Sequence, residues 1–223
     1  MGRLWTVAIG LVTAVVVGAL ILVNVSSPTS DTDSASPLTK VAFYGDSYTL
    51  GTGASELPKR WSTIISTERN WDEFNPSING LGFINNRMKF VTGDLPDRII
   101  KAEPDIVFIT MGLNDNFSYD FAGDAIHDQI DDDFARLAEA LPSAHFIAVE
   151  PFWYTDERPD SIAVISGWVQ AAAADIGADY IAGASHWIEG HPEYMAADGL
   201  HPNDLGYAEM ARRMDDALDQ LGI

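Results

Sequence analysis

Three stretches of the chain are continuously apolar rather than alternating: Val41-Ala42-Phe43-Tyr44, the run from Asp105 to Met111, and Phe146-Ile147-Ala148-Val149. They end at Gly45, at Gly112 and at Glu150-Pro151, and Tyr180-Ile181-Ala182 is a weaker fourth. Continuous runs of this length fit strands covered on both faces. Between them the period changes. Ile126, Ile130, Phe134, Leu137 and Leu141 recur at spacings of three and four, as do Ile162, Ile165, Val169, Ala172 and Ile176. Tyr207, Met210, Ala211, Met214, Leu218 and Leu221 form a closing stripe, with Asn203 placed to cap its helix. Strand and helix alternate, which predicts a parallel sheet with helices on both faces. Such sheets bind ligands beyond the C-terminal ends of their strands.

Chemistry-bearing residues fall at that edge. Gly45-Asp46-Ser47-Tyr48 follows the first predicted strand and Gly112-Leu113-Asn114-Asp115 the second, so Ser47 and Asn114 share an edge of the sheet. A serine hydroxyl is a weak nucleophile until a base takes its proton. Five histidines are available. His127 lies in the acidic helix off its apolar stripe, His145 opens a strand, and His186 and His191 lie in the loop before the last motif. His201, in Asp198-Gly199-Leu200-His201-Pro202, has a carboxylate three residues back. Asp198 can accept the imidazole N–H and hold the tautomer whose other nitrogen faces the serine. Nucleophile, oxyanion donor, base and base-orienter together suffice for acyl transfer through a serine.

The order of these strings resembles the SGNH hydrolases, also called the GDSL family, and the resemblance runs from about Lys40 to Leu221. Asn75-Pro76-Ser77-Ile78-Asn79-Gly80 looks like that family's block carrying an oxyanion glycine. The resemblance implies a flavodoxin-like three-layer α/β/α sandwich with a central parallel sheet. It implies Ser47 as nucleophile, His201 as base and Asp198 as its orienter. It also implies an oxyanion hole from the N–H groups of Ser47 and Gly80 and the side-chain amide of Asn114. Gly80 and Gly82 compete for that role, and counting from Asn75 favours Gly80. Tyr48 stands where the family's name has leucine, and Asp46 and Asp115 read as holding the two loops by hydrogen bonds. There is no Gly-x-Ser-x-Gly elbow and no phosphate-cradling Gly-x-x-x-x-Gly-Lys loop.

The substrate is less legible. Phe152, Trp153 and Tyr154 follow a predicted strand end and Trp187 lies in the loop before Asp198, so Trp153, Tyr154 and Trp187 are candidates to line an acyl pocket or stack on a sugar. Trp61 and Trp71 read as packing. The expected activity is hydrolysis of short acyl or acetyl esters of small molecules or glycans, with no metal and no cofactor. An acyltransferase acting on sugars or envelope polysaccharide uses the same residues, and product analysis with a sugar acceptor separates the two. A non-catalytic carbohydrate-binding protein would not need the set Ser47, Gly80, Asn114, Asp198 and His201.

Composition bounds the partners. The 223 residues carry 13 basic and 33 acidic side chains, a formal charge of −20, which argues against nucleic acid and anionic membrane surfaces. The acids of the central helix, Asp131, Asp132 and Asp133 among them, are expected on a solvated face. The absence of cysteine excludes disulfides, thiolate metal sites and a cysteine nucleophile. At the N-terminus, Leu4 to Val23 is uncharged and mostly apolar behind Arg3. At about 1.5 Å per residue this run reaches about 30 Å, enough to cross a bilayer core. Residues 1–23 are thus expected to be a signal anchor or signal peptide, 24–38 a disordered Ser/Thr/Asp/Pro-rich linker, and 39–223 the hydrolase domain. The domain is then exported, anchored to the membrane through that helix, or secreted if the segment is cleaved, and a monomer is favoured.

Overall fold

A computed structural model of the chain describes Gly2, residues 37–89 and residues 93–223. The candidate membrane segment and most of the candidate linker lie outside the described residues. Among the described residues no helix is long and apolar enough to cross a membrane. Everything below belongs to the unit Pro37–Ile223.

Five strands, β1 Lys40–Gly45, β2 Asp72–Phe74, β3 Ile106–Thr110, β4 His145–Val149 and β5 Asp179–Ile181, form one sheet in the order β2-β1-β3-β4-β5. Every pairing is parallel. The continuous apolar runs fall on β1, β3 and β4, where all but exposed His145 and half-buried Lys40 are buried. β2 has no such signal, because it is a three-residue edge strand whose sequence is Asp-Glu-Phe. A single row of pairs with β1, Lys40 to Asp72 through Ala42 to Phe74, is what makes it a strand.

The alternation of side chains divides the core into two layers. Val41, Phe43, Phe108, Ile147 and Val149 pack on one side against α2 (Trp61–Glu68) and α6 (Asp204–Leu221). Ala42, Tyr44, Val107, Ile109 and Ala148 pack on the other against α3 (Leu95–Ala102), α4 (Tyr119–Ala140) and α5 (Asp160–Asp175). The result is a three-layer α/β/α sandwich. The periodic stripes of α4, α5 and α6 are the faces turned inward, except at Leu221, which ends the α6 stripe and is exposed. Asn203 caps α6 with Oδ1 accepting from the N–H groups of Leu205 at 2.9 Å and Gly206 at 3.1 Å.

One expectation about the acidic helix is corrected. Asp133 is buried, not solvated. Arg87 holds it through two nitrogens, at 2.6 and 2.7 Å, and Tyr44 donates its hydroxyl at 2.5 Å. Its place on α4 follows Ile126 and Ile130 at helical spacing, so it belongs to the inward face although its charge suggests the outward one. Asp131 and Asp132 are exposed.

Candidate active site

In a sheet ordered 2-1-3-4-5 the chain reverses direction of winding between β1 and β3, and the crevice opens there. Ser47 follows β1 and Asn114 follows β3, with Gly45 directly opposite Thr110 in register. Close approach explains Gly45. A Cβ there would sit 2.4 Å from Thr49 Cβ and 2.6 Å from Thr110 Oγ1. Thr49 and Thr110 instead join their hydroxyls at 2.6 Å, closing the turn beneath the serine.

Ser47 begins a single helical turn, α1 (Ser47–Leu50), capped by Asp46, whose Oδ1 accepts from Tyr48 N–H at 2.9 Å. Ser47 N–H and Oγ have no hydrogen-bond partner among the described residues. Asn114 opens a 3₁₀ turn (Asn114–Ser118), and its amide donates to Leu81 O at 2.9 Å and to Asp46 Oδ2 at 3.1 Å. Asp46 therefore ties the two motifs together. It is buried without a cation, and desolvation pushes its pKa up to about 7. Asp115 is also buried. It gathers the N–H groups of Phe83 at 2.7 Å, Ile84 at 2.9 Å and Asn85 at 3.2 Å, fixing the loop after Gly80. Burial raises its pKa in spite of those donors.

The same loop separates the two candidate glycines. Gly80 takes φ +70°, a left-handed conformation that favours glycine, and its N–H has no acceptor among the described residues. Its carbonyl is held by the amides of Asn85 at 2.9 Å and Asn86 at 2.6 Å. Gly82 N–H already donates to Asn85 O at 2.9 Å. A Cβ at Gly82 would lie 2.4 Å from Asp115 Oδ1, so its lack of a side chain makes room for that carboxylate.

Asp198 and His201 form a turn that is bonded to itself. Asp198 Oδ1 accepts from Leu200 N–H at 2.9 Å and His201 N–H at 3.0 Å, and Oδ2 meets His201 Nδ1 at 2.7 Å. A carboxylate only accepts, so the hydrogen is on Nδ1 and Nε2 is the free base. These bonds, the imidazole contact foremost, lower the Asp198 pKa to about 2. Ser47, Gly80, Asn114 and His201 line one cleft of about 330 Å³, together with Tyr48, Thr52, Asn79, Leu113, Phe117 and Leu200.

The three candidate aromatics are not in it. Trp153 and Trp187 are buried in the core beside α6, and Tyr154 packs against the same core. Trp153 Nε1 is turned to Thr155 Oγ1 at 2.9 Å and Glu157 O at 3.0 Å, and Trp187 lies 5.8 Å from the Phe152 ring. They follow the correct strand end but lean toward the layer rather than over the edge. Beside buried Tyr48, the aromatic that lines the cleft is Phe117, which is 56 % exposed. Its signal in the sequence was its place three residues beyond Asn114.

Known proteins share this fold. The profile of the GDSL-like Lipase/Acylhydrolase family matches residues 43–209. The GDSL lipase Rv0518 of Mycobacterium tuberculosis (strain ATCC 25618 / H37Rv) is 29 % identical over 191 residues, covering 79 % of this chain and 80 % of that protein. Among solved structures, the psychrotrophic esterase EstA from Pseudoalteromonas sp., inhibited by monoethylphosphonate, aligns with a TM-score of 0.63 at 17 % identity, over 82 % of this chain and 98 % of that one. The salicylyl-acyltransferase SsfX3 from a tetracycline biosynthetic pathway aligns at 0.65 and 18 % identity, over 84 % and 57 % of the two chains. Fold, motif order and the family match over three-quarters of its length assign this chain to the GDSL-like lipase/acylhydrolase family, whose chemistry is that of carboxylic ester hydrolases.

Proposed function

We propose that the chain is a serine esterase that hydrolyses short acyl esters through an acyl-serine. The observation that carries the reading is the convergence of Ser47, Gly80, Asn114 and His201 on one cleft, with His201 Nδ1 held by Asp198 at 2.7 Å. His201 Nε2 takes the proton of Ser47 Oγ as that oxygen attacks the ester carbonyl. The N–H groups of Ser47 and Gly80 meet the oxyanion. Asn114 adds its amide, the oxyanion competing for the hydrogen now shared with Asp46 at 3.1 Å. His201 returns the proton to the leaving alcohol, and a water then releases the acid by the same steps. Asp198 stabilises the imidazolium at both stages. A cleft of about 330 Å³ is small for a ligand site, which favours short acyl groups.

A second reading is transfer of the acyl group to a sugar hydroxyl in place of water, favoured by the fold shared with an acyltransferase. Product analysis with a sugar acceptor present distinguishes them. Export is part of the proposal and rests on the apolar run Leu4 to Val23 behind Arg3. The test of the nucleophile is covalent labelling. A fluorophosphonate should phosphonylate Ser47 in the wild-type chain and leave Ser47→Ala unmodified, because a base-activated serine attacks phosphorus readily. Wild-type protein that resists the reagent, or labelling that persists in Ser47→Ala, overturns the assignment.

A further inference from the structure

The Asp198–His201 turn is bonded internally, and nothing in those bonds sets its position over Ser47. Backbone contacts tie it to its own loop: Ala196 N–H donates to His201 O at 2.8 Å and Asn203 N–H to Tyr194 O at 2.8 Å, the two bonds of the Met195–Pro202 bridge, and Gly199 N–H donates to Ala196 O at 3.0 Å. The link to the serine's own helix is made by Tyr48. This fully buried side chain donates its hydroxyl to Leu200 O at 2.7 Å, across 152 positions of sequence. Among the described residues it is the hydrogen bond that joins α1 to the turn. The peptide between Leu200 and His201 is thereby held at both ends, its carbonyl by Tyr48 and its N–H by Asp198 at 3.0 Å. The Tyr48 ring stacks on Phe152 at 5.8 Å and lies 6.1 Å from the imidazole. At its other end Tyr48 N–H is fixed by Asp46 at 2.9 Å.

We propose that Tyr48 is a positioning residue that sets the distance between Ser47 and His201 by holding the Leu200 carbonyl. The inference rests on the reading of Ser47 and His201 given above. Leucine, the residue of the family's name at this place, could supply the packing but not the hydrogen bond, so the base turn here is registered by a contact that a leucine cannot make.

Tyr48→Phe keeps the ring and deletes the donor. A small misplacement of reacting groups costs up to about a hundredfold in rate. The expected result is a fall in kcat of about tenfold or more, KM within about twofold of wild type, and an equal slowing of Ser47 phosphonylation. The low-field proton resonance of His201 Nδ1–H should shift, which a purely packing role would not cause. Tyr48→Leu, lacking ring and donor, should be slower still. The urea midpoint confirms that each variant is folded under assay conditions. A Tyr48→Phe kcat within about twofold of wild type, or a loss confined to KM, overturns the inference. Ser47→Ala and His201→Ala separate the two levels. Inactivity of both beside a fully active Tyr48→Phe sinks the role of Tyr48 alone, whereas activity retained in either removes the reading beneath it.

Discussion

At the scale of single residues, Asp46 has the most unusual position. It caps the helix that begins with Ser47, accepts from the Asn114 amide and is buried without a cation. Its pKa rises from 3.8 to about 7, with desolvation the largest cause. The folded state then binds this proton more tightly than the unfolded state does. The sign follows: the contribution of Asp46 to stability is present in full below about pH 4 and is lost as the pH rises through about 7. Asp46→Asn cannot titrate, though its amide can still accept from Tyr48 N–H. Urea denaturation at pH 4.5 and 7.5 should show the variant gaining on wild type at the higher pH. A difference between the two proteins that does not change with pH would remove the argument. The same substitution turns an amide donor toward the Asn114 donor, so kcat should fall as well.

Elements meet through residues that local patterns place poorly. Arg87, in a 3₁₀ turn spanning Arg87–Lys89, pins the loop carrying Gly80 onto α4 by its paired contacts with Asp133, and onto the start of α3 by a 2.5 Å contact with its capping residue Asp94. Burial raises the pKa of Asp133 even against the adjoining guanidinium. Breaking such a pair leaves a charge in the core, at a cost of about 3–5 kcal/mol, while replacing both members by apolar groups is often neutral. Arg87→Ala should therefore lower unfolding stability by about that amount. The double variant Arg87→Met with Asp133→Leu should recover much of it, although Tyr44 then loses its acceptor. Equal losses in the single and double variants, measured by chemical denaturation, would contradict this account.

For the whole molecule, every residue of the candidate site lies in Pro37–Ile223, whose two core layers close on both faces of one sheet. A chain beginning at Pro37 is expected to be soluble, to unfold in one cooperative transition and to match the kcat/KM of the full-length protein. Full-length protein is expected to fractionate with membranes, its domain digested by protease added to cells stripped of their wall. A shortened chain that is inactive, or full-length protein resistant to that digestion, would overturn the corresponding half of this prediction.

Local periodicity was enough to read β1, β3, β4 and β5, the helices α4, α5 and α6, and the edge of the sheet at which Ser47 and Asn114 emerge. Strands buried on both faces must be apolar throughout, and helices packed on a sheet must carry a stripe, so the layers are written in the pattern. The pairing of Asp198 with His201 is legible for a similar reason, since the four residues of one turn suffice to make it. Other features belong to the folded chain alone. β2 is a strand because β1 lies beside it, not because Asp-Glu-Phe prefers to be one. Asp133 is buried because Arg87, 46 positions away, arrives to pair with it. Gly80 and Gly82 look alike in sequence and are separated by an asparagine carbonyl that engages one N–H and not the other. Trp153 and Trp187 follow the right loops, but the direction in which a side chain leaves its loop is set by what it packs against. The Tyr48 link to Leu200 spans 152 positions, and no local pattern encodes a contact that only the closure of the sandwich brings within 2.7 Å.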